Sequence, residues 1–505
     1  MCGIAGFYSL YISRDNFDRN INLMINKLEH RGPDHKATWF DLDSGIALGH
    51  NRLSIVELSE SGHQPMISCC KQYIIIFNGE IYNHKLIRRR LPNSIKWRGN
   101  SDTETLINAI SFWGLKKTLS NIVGMFSFAI WDRNQEKLTL VRDRLGEKPL
   151  YFGYKKNTML FSSELKAIEA FPETSPNIDR NSLEQYLRFG YIQAPNTIYE
   201  GIYQLPPGNL IEFSKNDVRQ GLIPKLSKYW SFELITRQQE SDLFLGSDIQ
   251  AIDQLENLLK NSISGQLLAD VPVGAFLSGG IDSSTVVSIM QNQSSNPINT
   301  FTIGFEEFEY DESKSARKIA SYLGTNHKEL IVSPDDALSI IPKLSEVYDE
   351  PFADVSQIPT LLITKFASEN VKVCLSGDGG DELFCGYSRH TSGPKILNIL
   401  RKIPFSLRKV IANFIQKVPP SSWDNFYYFC EIFLPKYLKV NFPGIKIYKI
   451  SDLITYENLY EVYLSLISSW NSSENIVLKT NYSKFSNNFE FSKFKLNDNH
   501  QLMYL

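Results

Sequence analysis

The chain has 505 residues, and 53 Lys plus Arg against 55 Asp plus Glu give a formal charge of −2. That balance leaves no basic surplus to displace phosphate counterions, which argues against nucleic-acid binding as the main task. Apolar residues at 42 % and charged residues at 21 % exclude disorder as the global state, and the length suggests about three domains or two larger ones.

Six cysteines, at 2, 69, 70, 374, 385 and 430, are too sparse for a disulfide scaffold, and no C-x-x-C pair points to a zinc ribbon. Cys69-Cys70 reads as an ordinary reduced pair. No window of about 18 apolar residues predicts a membrane span. The opening MCGIAGFYSL lacks the basic start and small-residue cleavage site of a signal peptide. A cytoplasmic protein with no membrane partner is expected.

Residues 1–213 read mostly as short strands, at 73–77 (YIIIF), 125–130, 137–141 and 159–162, with Asn78-Gly79 and Leu145-Gly146 as turn signals. Helices are expected at 17–28 and 102–113, the second capped by Ser101 and apolar at 106, 107, 109 and 110. Hairpin-paired strands with few helices point to antiparallel sheets covered by helices. The polar stretch 214–248 reads as a linker.

After it the rhythm changes. A helix at 249–268 leads to the apolar run 271–277, then SGGIDSS and another helix. A strand at 299–304, a helix at 312–323, a strand at 329–332 and an apolar run at 371–375 follow. This alternation predicts a parallel, doubly wound sheet with ligands beyond its strand C-termini. The domain is expected to occupy 249–505. Arg88-Arg89-Arg90 reads as a solvated helix face and 427–433 (YYFCEIF) as core.

Chemistry begins at Cys2. With Met1 removed, a thiol and a free α-amine share one residue, and an amine of pKa roughly 7.7–8.0 is partly neutral near pH 7. Such a nucleophile carries its own proton acceptor. In His50-Asn51-Arg52 a guanidinium is placed to fork onto a carboxylate. Asn78-Gly79-Glu80 is expected to end a strand in a turn, presenting an amide, a backbone N–H and a carboxylate. The first two suit an oxyanion hole; Glu80, helped by Asp102, suits an α-ammonium.

The motifs MCGIAG, HRGPD, HNRLSI, FNGEIYN, SDTET and VRDRLGEKPLY, in that order, resemble the glutaminase half of class II glutamine amidotransferases. The resemblance implies an α+β N-terminal-nucleophile sandwich (αββα). It carries over Cys2 as the nucleophile that frees ammonia, Asn78 and Gly79 as oxyanion donors, and Arg52, Asn78, Gly79, Glu80 and Asp102 as the glutamine site.

A second site starts at Ser278-Gly279-Gly280-Ile281-Asp282-Ser283-Ser284, a strand–loop–helix junction. Paired glycines let backbone N–H groups approach phosphate, and the helix N-terminus and the serine hydroxyls add to this. No Gly-Lys-Ser/Thr follows, so it is not a Walker A loop. Ser376-Gly377-Asp378-Gly379-Gly380-Asp381-Glu382 closes another apolar run with three carboxylates, suited to Mg²⁺ on phosphates. Between the loops, Asp349, Glu350 and Asp354 add further carboxylates.

With FTIGFEEFEYDES, YLGTNHKE, DEPFADVSQIPT and LSGDGGDELFCGY, these loops resemble the ATP-pyrophosphatase (PP-loop) half of glutamine-hydrolysing asparagine synthetases. The resemblance implies an α/β doubly wound parallel-sheet domain using ATP and Mg²⁺. Leu277, Ile303, Ser376 and Gly377 would line the ATP site with the 278–284 loop. Asp282 and Asp381 would hold Mg²⁺, Asp378 would assist the acyl-adenylate, and Glu350 and Asp354 would face aspartate. Glutamine, aspartate and ATP are the implied partners; a homodimer is admitted, although sequence alone does not give the oligomeric state.

The family resembled usually continues, past a helix similar to 497–505, into further motifs and a catalytic lysine. The chain is therefore expected to be truncated, with a complete glutaminase site and an impaired synthetase site. Similar proteins amidate other acceptors, so amidation of another carboxylate, or glutaminase or binding activity alone, stays open.

Overall fold

The run YIIIF lies in a strand, Tyr73–Ile81, whose successive side chains leave opposite faces. Ile74 and Ile76 enter one apolar cluster, Ile75 and Phe77 another. Both faces are covered, which is why the run shows no polar alternation.

The computed structural model describes residues 1–172, 175–239, 243–306, 311–430, 443–470, 476–478 and 480. They fall into two units: Met1–Tyr186 with Gly190–Gly377 and Val477–Thr480, and Leu187–Phe189 with Asp378–Ile476 and Asn481–Leu505.

In the first unit the strands begin with β1 (Gly3–Ser9), β2 (His35–Asp41), β3 (Ile46–Arg52), β4 (Met66–Ile67), β5 (Tyr73–Ile81) and β6 (Gly124–Asp132). Then come β7 (Lys137–Arg142), β8 (Tyr151–Lys155), β9 (Thr158–Ser162), β10 (Ile202–Gln204), β11 (Asn209–Ser214) and β12 (Ser227–Lys228). They form two antiparallel six-stranded sheets, β10-β8-β9-β1-β3-β2 and β12-β11-β7-β6-β5-β4. Between the sheets lies a core holding Tyr8, Trp131, Phe161 and Phe213, with Tyr8 and Trp131 edge to face at 5.2 Å. Helix Arg14–Asn26 covers the outside of the first sheet through Phe17, Ile21 and Met24. Helix Asp102–Trp113 covers the second through Leu106, Ile107 and Ile110. The result is the αββα sandwich.

Two local expectations change. Asn78-Gly79 is no turn: β5 runs through it, pairing Asn78 with Ser127 and Gly79 with Phe126. Gly79 is needed for close approach, since a Cβ there would sit 2.2 Å from the Met125 carbonyl oxygen. The stretch 214–248 contributes helix Lys215–Gln220, closed by a Ser214–Asp217 capping box, and the edge strand β12. Its polarity reflects exposure of an edge rather than lack of structure.

Four parallel strands follow: β13 (Val273–Phe276), β14 (Asn299–Phe305), β15 (Asn326–Val332) and β16 (Val373–Leu375), ordered β15-β14-β13-β16. Ala275 and Leu277 pack against Val287, Met290, Ala316 and Ala320 from helices Ile281–Gln293 and Ser313–Leu323. Phe301 packs on the other side with Ala367 of helix Gln357–Ser368. Helices on both faces make the sheet doubly wound.

The described residues of the second unit are helical, including Ser388–Leu400, Phe405–Lys417, Pro420–Cys430 and Leu459–Ile467. Leu397, Leu459 and Val462 form its small core. Tyr428 and Phe429, read as core, are 51 % and 76 % exposed; 431–433 and the expected helix at 497–505 lie outside the described residues. Arg88, read as solvated, stacks 3.8 Å over Trp97 and donates to the Gly99 carbonyl, while Arg89 and Arg90 are exposed.

Candidate active sites

The N-terminal strand, the end of β3, the second half of β5 and the start of helix Asp102–Trp113 converge on one cleft of about 540 Å³ including its mouth. Cys2, Arg52, Asn78, Gly79, Glu80 and Asp102 all line it. Every residue expected at the glutamine site is thus brought to one place.

The Cys2 Sγ accepts from the Leu53 N–H at 3.4 Å and faces the Leu53 carbonyl at 3.7 Å. Burial among the cleft walls pushes its thiol pKa up, so the thiol needs a base to ionise. The terminal amine, here on Met1, is lowered to about 6, first by burial and then by Arg31 and Lys148. A neutral amine beside a thiol is that base.

Asn78 is fully buried, and neither its amide nitrogen nor its amide oxygen has a partner. Such an amide in a cleft is expensive unless something hydrogen-bonds it there. Glu80 also has an unpartnered buried Oε1, and burial together with Asp102 raises its carboxyl to about 7. Burial raises Asp102 to about 6, while its Oδ2 accepts from the Ile81 N–H at 2.9 Å. Two acids held above their usual range are poised to gain from a cation. Arg52 is aimed by the carbonyls of Ser59 and Glu57, to which NH1 and NH2 donate.

At the second site Leu277 ends the run of β13, and its carbonyl accepts from the Thr302 hydroxyl. The loop after it is tied by serines. Ser278 N–H donates to Ser283 Oγ at 3.1 Å, Gly280 N–H donates to Ser278 Oγ at 3.1 Å, and Ser284 Oγ donates to the Gly280 carbonyl at 2.6 Å. Asp282 lies in the first turn of helix Ile281–Gln293. Gly279, Gly280 and Ser284 open onto a groove of about 1130 Å³ including its open mouth, whose other wall carries Ile252, Leu255, Leu259 and Glu256. Ile303 sits toward the C-terminal end of β14, and Ser376-Gly377 follows β16, with Gly377 against Asp282 and Ser283.

Glu350 and Asp354 line neither cavity. Glu350 Oε1 accepts from the Ile198 N–H at 2.8 Å, and burial raises its carboxyl to about 7. Asp354 is exposed and accepts from the Ser356 N–H at 2.8 Å. Asp378 and Asp381 belong to the second unit, where Asp381 lies in helix Gly380–Phe384 and its carbonyl accepts from the Gly386 N–H at 2.9 Å.

Residues 1–230 match the glutamine amidotransferase domain family and residues 254–479 the asparagine synthase family. A putative glutamine-hydrolysing asparagine synthetase 2 of Methanocaldococcus jannaschii is 34 % identical over 454 residues, covering 86 % of this chain and 84 % of that protein. The chain belongs to the glutamine-hydrolysing asparagine synthetase family. Glutamine-hydrolysing asparagine synthetase 1 of Bacillus subtilis is 32 % identical over 422 residues, covering 83 % of this chain and 64 % of that protein, so the chain spans less than two thirds of this relative. Among solved structures, glutamine phosphoribosylpyrophosphate amidotransferase from B. subtilis, complexed with ADP and GMP, aligns over 70 % of this chain and 94 % of that one. Its TM-score is 0.35 and its identity 13 %.

Asparagine synthases use ATP. Among the described residues no group of three or more His, Cys, Asp or Glu is arranged to hold a metal. Mg²⁺ commonly takes one or two carboxylates plus the substrate's phosphates, so Asp282 and Asp381 fit in chemical type an ion carried by the nucleotide. No helix among the described residues is long and apolar enough to cross a membrane.

Two residues of the cleft wall, Lys148 and Gln64, and one behind it, Arg31, were not singled out by the sequence. Arg31 Nε donates to the Cys2 carbonyl at 2.9 Å. Lys148 is 7 % exposed, lines the cleft, and makes no ion pair among the described residues. Gln64 accepts from the Phe77 N–H at 2.6 Å and donates to Thr103 at 3.2 Å, bracing β5 beside Asn78. Arg31 and Lys148 do lie inside the HRGPD and EKPLY motifs, but nothing local to those motifs shows that Arg31 reaches Cys2 or that Lys148 reaches Met1.

Proposed function

We propose that the chain is an ATP-dependent, glutamine-hydrolysing asparagine synthetase whose two half-reactions occupy the two sites described. In the first, removal of Met1 places the α-amine on Cys2. That amine takes the thiol proton as Sγ attacks the glutamine amide carbon. Asn78 Nδ2 and the Gly79 N–H hold the resulting oxyanion. Arg52 takes the substrate's α-carboxylate, while Glu80 and Asp102 take its α-ammonium. Collapse releases ammonia, and water attack on the thioester gives glutamate and frees Cys2.

In the second half-reaction the 278–284 loop, with Leu277, Ile303, Ser376 and Gly377, cradles ATP. The aspartate side-chain carboxylate attacks the α-phosphorus and pyrophosphate leaves. Ammonia then attacks the aspartyl-adenylate to give asparagine and AMP. Asp378 assists formation of the adenylate, and Glu350 and Asp354 serve the acceptor. Asp282 and Asp381 would hold Mg²⁺, which neutralises phosphate charge when bound.

The observation that carries this reading is the convergence in one cleft of Cys2, an unpartnered buried Asn78 amide, and the Glu80 and Asp102 carboxylates, of which Glu80 Oε1 has no partner. Glutamine hydrolysis by the full chain tests it directly. The reading predicts glutamate release that disappears in Cys2→Ala; release surviving that change would refute Cys2 as the nucleophile.

A further inference from the structure

Arg31 serves two masters. Its Nε holds the Cys2 carbonyl at 2.9 Å, and its NH1 donates to Glu164 Oε1 at 2.7 Å. Glu164 Oε2 lies 3.1 Å from Lys166 Nζ, and the same Nζ lies 3.2 Å from Asp349 Oδ1 and donates to the Glu346 carbonyl at 2.8 Å. Asp349 Oδ2 in turn accepts from the Leu165 N–H. The side chains of Arg31, Glu164, Lys166 and Asp349 are 7 %, 12 %, 21 % and 8 % exposed, so the whole line is largely shielded from water.

We propose that Glu164 and Lys166 are positioning residues that make the placement of the 346–350 segment felt at the Cys2 nucleophile. The proposal rests on the reading of Cys2 as nucleophile and deepens it by linking that site to the carboxylate segment before Glu350.

The physical basis is the sharing of partners. Arg31 and Lys166 each bind on two sides, and one Glu164 carboxylate joins them. A shift of Asp349 leaves Lys166 to re-pair with Glu164 alone, and that carboxylate then redistributes its charge among Lys166, Arg31 and the half-exposed His30, whose Nε2 lies 3.1 Å from Glu164 Oε2. In a shielded setting neither cation can be left unpaired without cost, so the groups move together. The far end is anchored in the parallel-sheet half. Segment 346–350 leads, through the non-helical residues 351–356, to helix Gln357–Ser368, whose Phe366 meets Phe301 of β14 edge to face at 5.9 Å. The near end fixes the backbone of the residue that bears the thiol.

Reactivity of Cys2 toward a diazo-ketone analogue of glutamine, read by mass spectrometry of the N-terminal peptide, reports the near end without any synthetase turnover. Asp349→Asn should change that labelling rate by about fivefold, the lower end of coupling between linked sites. The effect should vanish in a Lys166→Met background, so that the two changes are non-additive, and Lys166→Arg should restore it. Additive effects, or an Asp349→Asn rate equal to wild type in a protein whose thermal melting is unchanged, would overturn the proposal. If Lys166→Met fails to fold, Lys166→Gln, which also removes the charge, carries the same cycle with Asp349→Asn. Absence of Cys2 labelling in the unaltered chain would instead count against the parent reading of Cys2.

Discussion

Gly377 and Ser283 are so close that a Cβ on the glycine would lie 2.7 Å from the serine backbone nitrogen. This brings the loop after β16 against the first turn of helix Ile281–Gln293, and no side chain fits between them. Gly377→Ala must therefore push the two loops apart. If these loops cradle phosphate as proposed, a displacement of this kind costs about 10²-fold in rate. Pyrophosphate release should fall by that order while glutamine hydrolysis stays near wild type, as paired product assays would show.

Asn78→Ala removes the buried amide proposed as an oxyanion donor and leaves the strand pairing of β5 in place. The loss of one such donor lowers kcat by about 10²–10³-fold. Steady-state glutamate release should show that drop with little change in KM. A change confined to KM would mean the amide binds substrate rather than the transition state.

The acid limb of glutamine hydrolysis should report the terminal amine. Burial is the main cause that lowers the amine to about 6 in the Met1 form, with Arg31 and Lys148 adding to it. Cys2 lines the same cleft and has Arg31 Nε 2.9 Å from its carbonyl, so an amine borne by Cys2 is expected to be lowered in the same direction. The base is neutral above its pKa, so activity falls as pH drops through that value. Lys148→Met removes a positive neighbour, raises the amine pKa, and should move the acid limb to higher pH. A pH profile of kcat for the two proteins checks both the direction and the role of Lys148.

Much of this was legible in the chain. The continuous apolar run YIIIF, the Ser101 cap, whose Oγ accepts from the Glu104 N–H at 3.1 Å, and the strand–loop–helix at 278–284 are local features with local causes. Asn78-Gly79 misled because the same dipeptide that favours a hairpin turn also suits a strand whose glycine must clear a neighbouring carbonyl. Arg31, Lys148 and Lys166 were silent because their partners lie at sequence separations of 29, 147 and 183 (349 − 166), as for Asp349. The edge strand β12 was hidden by its exposed, polar composition.

Glu104 offers a test of the scaffold around Asp102. It is 1 % exposed and accepts from the backbone N–H groups of Arg98 at 2.9 Å and Gly99 at 3.1 Å. It also pairs with Arg88 at 3.6 Å. Glu104→Ala leaves two backbone N–H donors without their acceptor and removes the anion beside Arg88, which keeps the Gly99 carbonyl and the Trp97 face, a change worth about 1–3 kcal/mol. Urea unfolding followed by fluorescence should show an unfolding free energy lower by that amount, and a change below about 1 kcal/mol would mean that solvent replaces the carboxylate.

The central claim is that two chemistries on one chain are joined by ammonia. Its most direct test is simultaneous measurement of glutamate, pyrophosphate and asparagine from the full chain given glutamine, ATP, Mg²⁺ and aspartate, beside Cys2→Ala given glutamine or ammonium. The account predicts all three products from the unaltered chain, none of the glutamate from Cys2→Ala with glutamine, and asparagine restored to Cys2→Ala by ammonium. Glutamate without pyrophosphate or asparagine would contradict it, leaving a glutaminase with no synthetase behind it.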